Sequence, residues 1–165
     1  MKKNILLSSV YDGFCCFIGS GPATLGLLCY LKRNQFYEIV KSHGLYIITK
    51  DDNIGGGELF KYQIQSNSTL AAILEMVPSS LISELSVNTQ KEIILIGNSI
   101  APLPTIARIL TEIGEWFKND LKETCFFGCE AISITKELEL NNDEPLSLQF
   151  RQGSELYAKS FKKIA

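Results

Sequence analysis

The apolar residues of this chain fall into short blocks separated by glycine-rich and acidic breaks, and the period within each block predicts its element. Phe14-Cys15-Cys16-Phe17-Ile18 is an unbroken apolar run ended by Gly19, the pattern of a strand buried on both faces of a parallel sheet. After Gly19-Ser20-Gly21-Pro22, residues 23–32 carry Ala23, Gly26, Leu27, Tyr30 and Leu31 at helical spacing. Residues 36–43 read as a charged lead-in, and Leu45-Tyr46-Ile47-Ile48-Thr49 as a second strand closed by Lys50-Asp51-Asp52-Asn53. Strand, glycine turn, helix and strand make a βαβ unit of the expected length.

Beyond residue 53 the pattern loosens. Residues 54–68 are glycine, polar and aromatic, and a loop this long inside a compact domain is commonly functional or a lid. Residues 70–76 and 79–85 predict short helices broken by Pro78. Glu92-Ile93-Ile94-Leu95-Ile96-Gly97 reads as a further strand ended by glycine. Pro102 and Pro104 defer the next helix to residues 105–118, where Ile106, Ile109, Leu110, Ile113 and Phe117 share one face. Residues 126–127, 131–135, 146–150 and 156–164 carry strand material, with a turn at Asn141-Asn142-Asp143-Glu144-Pro145. They predict a small meander whose partners the pattern leaves open. The expected architecture is α/β: one domain over residues 1–165, with a central parallel sheet, helices on both sides and an additional small β-meander.

Hydrophobic residues make up 45% of the 165 positions, and a domain of this length buries roughly two-thirds of the surface its unfolded chain exposes. A core needs neither disulfides nor metals, so collagenous, disordered and disulfide-scaffold classes are excluded. Lys and Arg number 16 against 18 Asp and Glu, for a formal net charge of -2, and the basic residues are scattered, which argues against nucleic acid as a partner. The five cysteines, Cys15, Cys16, Cys29, Cys125 and Cys129, have no framework spacing and read as reduced core thiols of a cytoplasmic protein. Cys125 and Cys129 lack a second pair and His43 is the single histidine, so no metal is expected. The start, Met1-Lys2-Lys3-Asn4-Ile5-Leu6-Leu7, imitates a secretory signal, but Asp12 and Gly13 interrupt it and no cleavage site follows. No stretch reaches the ~18 apolar residues of a membrane span, so no membrane is expected.

The strongest chemical signal is the turn after the first strand. In Gly19-Ser20-Gly21-Pro22-Ala23-Thr24-Leu25-Gly26 the first glycine suits a tight bend and the second lets backbone approach a pyrophosphate. The helix that follows offers N–H groups and its positive dipole end to the anion. Pro22 suits the first helical turn, where a missing donor costs nothing. Thr24 stands where the usual pattern has a third glycine, and Gly26 is the next residue able to bring helix and sheet together. A ribose hydroxyl calls for an acceptor at the end of the second strand. Thr49, Asp51 and Asp52 are the candidates, with a plain solvated turn as the alternative. Ile96-Gly97-Asn98-Ser99 lacks a second glycine and reads as a strand end, His43 as a surface residue, and no Gly-x-Ser-x-Gly elbow occurs. No catalytic residue is assigned.

Gly-Ser-Gly-Pro-Ala at 19–23, Gly55-Gly56-Gly57-Glu58-Leu59 and Tyr62-Gln63-Ile64-Gln65-Ser66-Asn67-Ser68 together resemble the N-terminal part of two-dinucleotide-fold FAD-dependent oxidoreductases, the monooxygenase-like flavoproteins. The resemblance covers residues 13–70 and implies a Rossmann-like FAD/NAD(P)-binding domain. It places Gly19, Gly21, Pro22 and Ala23 at the FAD pyrophosphate, counts Ser20 and Thr24 among the cofactor-binding residues, and puts Asp51 or Thr49 at the adenosine ribose. It places Gly55, Gly56 and Gly57 where backbone passes the cofactor, with Ser66 and Asn67 as polar contacts near the flavin ring. Ala158-Lys159 is similar to the strand before a second glycine motif in this family, and no such motif follows before Ala165. Relative to the family the chain is expected to be truncated or divided between two polypeptides. The implied function is flavin-dependent redox or monooxygenase-type chemistry with NAD(P)H as electron donor, with weak or partner-dependent FAD binding and weak or no independent activity in this form. The alternative is a non-catalytic dinucleotide-binding or protein-interaction module, self-associated or completed by a separate polypeptide.

Overall fold

Two strands set the frame of the computed structural model, which describes residues 12–136 and 145–165. The signal-like start and residues 141–144 of the expected turn lie outside the described residues. Alternation along β1 (Gly13–Ile18) and β2 (Leu45–Ile48) sends neighbouring side chains to opposite faces. Cys15, Phe17, Leu45 and Ile47 enter one core, while Cys16, Tyr46 and Ile48 enter a second. Both faces are covered, which is why these strands are unbroken apolar runs.

Helix α1 (Pro22–Arg33) links β1 to β2, which pair in parallel from Cys15 and Leu45 to Ile18 and Ile48. The charged lead-in folds as helix α2 (Tyr37–Ser42), because Tyr37 is buried against Trp116 and Phe117. Its hydroxyl donates to Asp120 at 2.8 Å, so the polar tip of this aromatic anchor is satisfied as well. A 3₁₀ helix at Gly57–Lys61 is followed by α3 (Leu70–Leu74), which Thr69 caps by accepting from the Ala72 N–H, and by α4 (Ser79–Glu84). These two match the expected helices on either side of Pro78.

The expected strand at residues 92–97 is instead the second half of helix α5 (Val87–Ile96). Ser86 starts it, accepting from the Thr89 N–H at 3.3 Å, and Gly97 ends it at φ 54°. Ile93 and Ile96 pack on the core while Ile94 and Leu95 are 79% and 86% exposed. A short apolar run does not by its period distinguish strand from helix, and here the cap decides. Helix α6 (Leu103–Asp120) begins earlier than expected: Pro102 is its N-cap and Pro104 lies in its first turn.

The sheet has six strands in the order β3-β2-β1-β6-β5-β4, completed by β3 (Cys125–Phe126), β4 (Cys129–Lys136), β5 (Leu146–Gln152) and β6 (Glu155–Ile164). Strands β4, β5 and β6 form the expected antiparallel meander. Its last strand supplies the missing partner, because β6 pairs with β5 from Glu155 to Phe161 and then with β1, in parallel, from Phe161 to Ile164. Every described helix contributes to the first core and none to the second, which is built from strand residues such as Cys129, Leu148, Phe150 and Phe161. Helices were expected on both sides of the sheet; among the described residues one side is covered by the meander instead. Its apolar alternate residues satisfy the same burial requirement.

Candidate functional site

The turn after β1 sits at the carboxyl end of a strand whose neighbours lie on opposite sides, β2 on one and β6 on the other. That is a topological switch point, where open α/β sheets leave a crevice for ligand. Gly19 adopts φ +94°, a conformation that side chains rarely take, and its N–H is spent on the Ile48 carbonyl at 2.8 Å. Gly21 is the N-cap of α1 and Pro22 its first residue; the cap has no side-chain hydrogen bond and the first turn has no acid. The N–H groups of Gly21, Ala23 and Thr24 find no acceptor among the described residues. They are the orphan donors of a helix start, and they face the end of the macrodipole that attracts anions.

Space around the turn is one-sided. A Cβ built on Gly19 or Gly21 would meet nothing within 4 Å, whereas one on Gly57 would lie 3.2 Å from the Gly21 Cα and 3.4 Å from the Pro22 Cδ. The loop therefore backs the turn at Gly57 and leaves its other side open. Thr24, in place of a third glycine, donates its hydroxyl to the Gly19 carbonyl at 2.9 Å and locks the bend. Gly26 does not bring α1 onto the sheet, since a Cβ there would meet nothing within 4 Å.

A cavity of about 320 Å³ opens beside Gly19, lined also by Ile18, Thr49, Asp51, Glu58, Cys129 and Ala131. Beneath it lies a knot of polar groups. Ser20, fully buried, lies 2.6 Å from the Asn53 carbonyl and 3.0 Å from the Thr49 hydroxyl, which in turn accepts from the Asp51 N–H at 3.2 Å. Thr49 is 3% exposed, so the hydroxyls of both Ser20 and Thr49 are turned into the protein and the carboxylate of Asp51 is left at the cavity.

The other expected site residues are distributed differently. Gly55 and Gly56 are packing positions: a Cβ on Gly55 would collide with the Leu110 carbonyl and one on Gly56 with the Thr111 hydroxyl, both on α6. Ser66 is buried, accepting from the Ala101 N–H at 3.2 Å and donating to the Ser68 carbonyl at 2.6 Å, while Asn67 is exposed. Loop 62–68 is thereby tied to the residues that start α6, with the Leu103 N–H bound to the Ile64 carbonyl. Neither Ser66 nor Asn67 lines the cavity at Gly19.

Sequence reasoning left Glu58, Cys129 and Ala131 unassigned. Glu58 is the first acid after the triple glycine and was open to notice; Cys129 and Ala131 come from a strand far along the chain, with no local signal. The Glu58 carboxyl is held below its usual range by a hydrogen bond and the charge of Lys61. Burial pushes the thiols of Cys16, Cys29 and Cys125 up to about 12 and raises that of Cys129, so these side chains are walls and core, not nucleophiles. His43 is exposed, its Nδ1 2.7 Å from the Ile39 carbonyl. Among the described residues no cluster of three or more metal-ligating side chains occurs, and no helix is long and apolar enough to cross a membrane.

The fold is an α/β domain on a mixed six-stranded sheet, with a glycine turn between β1 and α1. Comparison with solved structures agrees. Ornithine hydroxylase PvdA from Pseudomonas aeruginosa superposes with a TM-score of 0.65 at 16% identity, over 92% of this chain and 38% of its own. The ornithine N-hydroxylase KtzI of Kutzneria sp. 744, determined with reduced FAD, NADP+ and L-ornithine, gives 0.63 at 13% identity, over 93% and 36%. OTEMO in complex with FAD and NADP gives 0.57 at 12% identity, over 90% and 24%. At these identities the likeness is one of fold, and the chain spans well under half the length of each. No family model and no curated protein matches the sequence.

Proposed function

We propose that the chain is a single dinucleotide-binding domain that holds FAD for flavin-dependent redox chemistry of the monooxygenase type. The observation that carries this reading is the one-sided glycine turn: open space where a Cβ would stand on Gly19 or Gly21, at a switch point, in a turn that leads into a helix whose Gly21, Ala23 and Thr24 N–H groups have no acceptor among the described residues. A Cβ would fill the space that a pyrophosphate needs, so the residues present fit the group. Asp51 is the proposed acceptor for the adenosine ribose. Asn67 and the backbone around Gly57 are the proposed contacts toward the flavin.

Bound FAD supplies the hydride and oxygen chemistry, with NAD(P)H as the donor, while the protein binds and orients it. FAD and NADP appear in the KtzI and OTEMO structures, which supports both as groups for this fold. The chain matches only a part of those proteins, and full turnover is proposed to require the remainder of such a fold, in a longer or a second polypeptide. An interaction role is favoured by one separate observation, the outward face of α5, where Val87, Ile94 and Leu95 are 66%, 79% and 86% exposed. Titration of the purified chain with FAD, followed by flavin fluorescence and by visible absorption after desalting, tests the proposal. Saturable binding is expected, and a chain that takes up no flavin at any concentration refutes FAD as its cofactor.

A further inference from the structure

Ser20 has one hydroxyl proton and three oxygen neighbours: the Asn53 carbonyl at 2.6 Å, the Thr49 hydroxyl at 3.0 Å and the Asp51 carboxylate at 3.4 Å. The shortest contact takes the proton, since a carbonyl can only accept. Thr49 must then donate to Ser20, and its own oxygen accepts the Asp51 N–H at 3.2 Å. The result is a one-way chain, from the Asp51 N–H to Thr49, from Thr49 to Ser20, and from Ser20 to Asn53. It grips loop 50–53 at both ends, and the Gly55 N–H adds a bond to the Ser20 carbonyl at 2.7 Å. With both hydroxyl protons spent inside the chain, the Asp51 carboxylate is held at the cavity with its acceptor capacity free.

We propose that Ser20 is a positioning residue for nucleotide recognition: acting through Thr49 and Asn53, it joins the glycine turn to the Asp51 loop so that anion and ribose are bound by one rigid unit. This rests on the dinucleotide reading above. Ser20 and Thr49 belong to this unit through their buried hydroxyls; Ser20 does not line the cavity, and Thr49 lines it with its hydroxyl turned into the hydrogen-bond chain.

The test compares binding of ADP with that of 2′-deoxy-ADP by titration calorimetry, because the ratio of the two affinities reports the ribose hydroxyl alone. The parent chain is expected to prefer ADP by about tenfold, the scale of one hydrogen bond to a carboxylate. Asp51→Asn should reduce that ratio, and Ser20→Ala and the isosteric Thr49→Val should reduce it to the same level. Thr49→Ser, which keeps the hydroxyl, should restore the ratio lost in Thr49→Val. If Ser20→Ala and Thr49→Val weaken both nucleotides equally and the ratio persists, the chain of hydroxyls is only structural and the proposal is overturned. A parent chain that binds both nucleotides without preference overturns the ribose assignment and this proposal with it, while the glycine-turn reading stands. Failure to bind either nucleotide removes the dinucleotide reading itself.

Discussion

Replacing Gly21 by alanine separates binding from stability more cleanly than any other change at the site. Gly21 has φ −69° and ψ −169°, a backbone that alanine adopts without strain, and the added methyl would meet nothing within 4 Å. Alanine is a poorer N-cap than glycine by up to about 1 kcal/mol. Loss of glycine's freedom in the unfolded chain returns about 0.4–1 kcal/mol. The two nearly cancel, and for a chain of this size the expected shift in Tm is no more than about 2–4 °C. Binding responds differently. The methyl stands where a pyrophosphate must approach the N–H groups of Gly21, Ala23 and Thr24, and each charge-assisted hydrogen bond lost is worth about 1.5–3 kcal/mol. Two such losses weaken affinity by about a hundredfold or more. Gly19→Ala is the less informative companion, because φ +94° adds a folding cost of about 1–2 kcal/mol. The assay is FAD titration by fluorescence beside thermal melting of the same sample. A Gly21→Ala chain that melts like the parent and still binds FAD within a few-fold of it would refute the assignment of the open side of the turn to phosphate.

Three further outcomes test the packing on which the site depends. Gly114→Ala places a methyl into the Ile54 carbonyl and should cost at least about 2 kcal/mol in urea unfolding, as overpacking against backbone does. Burial alone would raise the Asp120 carboxyl, but hydrogen bonds from Lys41 and Tyr37 and the Lys41 charge reverse this and leave it lowered. A carboxylate depressed in the folded state stabilises above its unfolded pKa, and that stability is lost as pH falls through the folded value. Urea midpoints measured from neutral to acid pH should therefore fall below the ordinary carboxylate range, and Asp120→Asn should flatten that limb. The double change Ile94→Lys and Leu95→Lys should leave Tm within about 2 °C of the parent, since both side chains are already exposed; a large loss would return residues 92–96 to a buried strand.

Much of the frame was legible in order along the chain. The apolar run at 14–18, the glycines at 19 and 21 and the helical period that follows required only local backbone physics, and β1, the turn and α1 lie where that pattern puts them. The short helices around Pro78 and the long amphipathic helix before Leu121 were equally readable from period and punctuation. The run at 92–96 was not, because four adjacent apolar residues satisfy either element until Ser86 is seen to cap a helix. Helix α2 escaped notice for a related reason, its single buried anchor Tyr37 resting on residues of α6.

The site divides in the same way. The residue types of a tight glycine turn before a helix are written in five consecutive letters, since a tight bend demands glycine locally, and the sequence alone determined where that turn stands. Only the tertiary structure decided that β6 closes against β1, creating the switch point, and that the meander takes one face of the sheet while every described helix takes the other. It alone decided that Gly55 and Gly56 serve α6, and that the hydroxyls of Ser20 and Thr49 face inward and leave Asp51 to the cavity. Each of these depends on which distant segment supplies the last hydrogen-bond acceptor or covers the last apolar face, and such partners are chosen by long-range packing rather than by any local period.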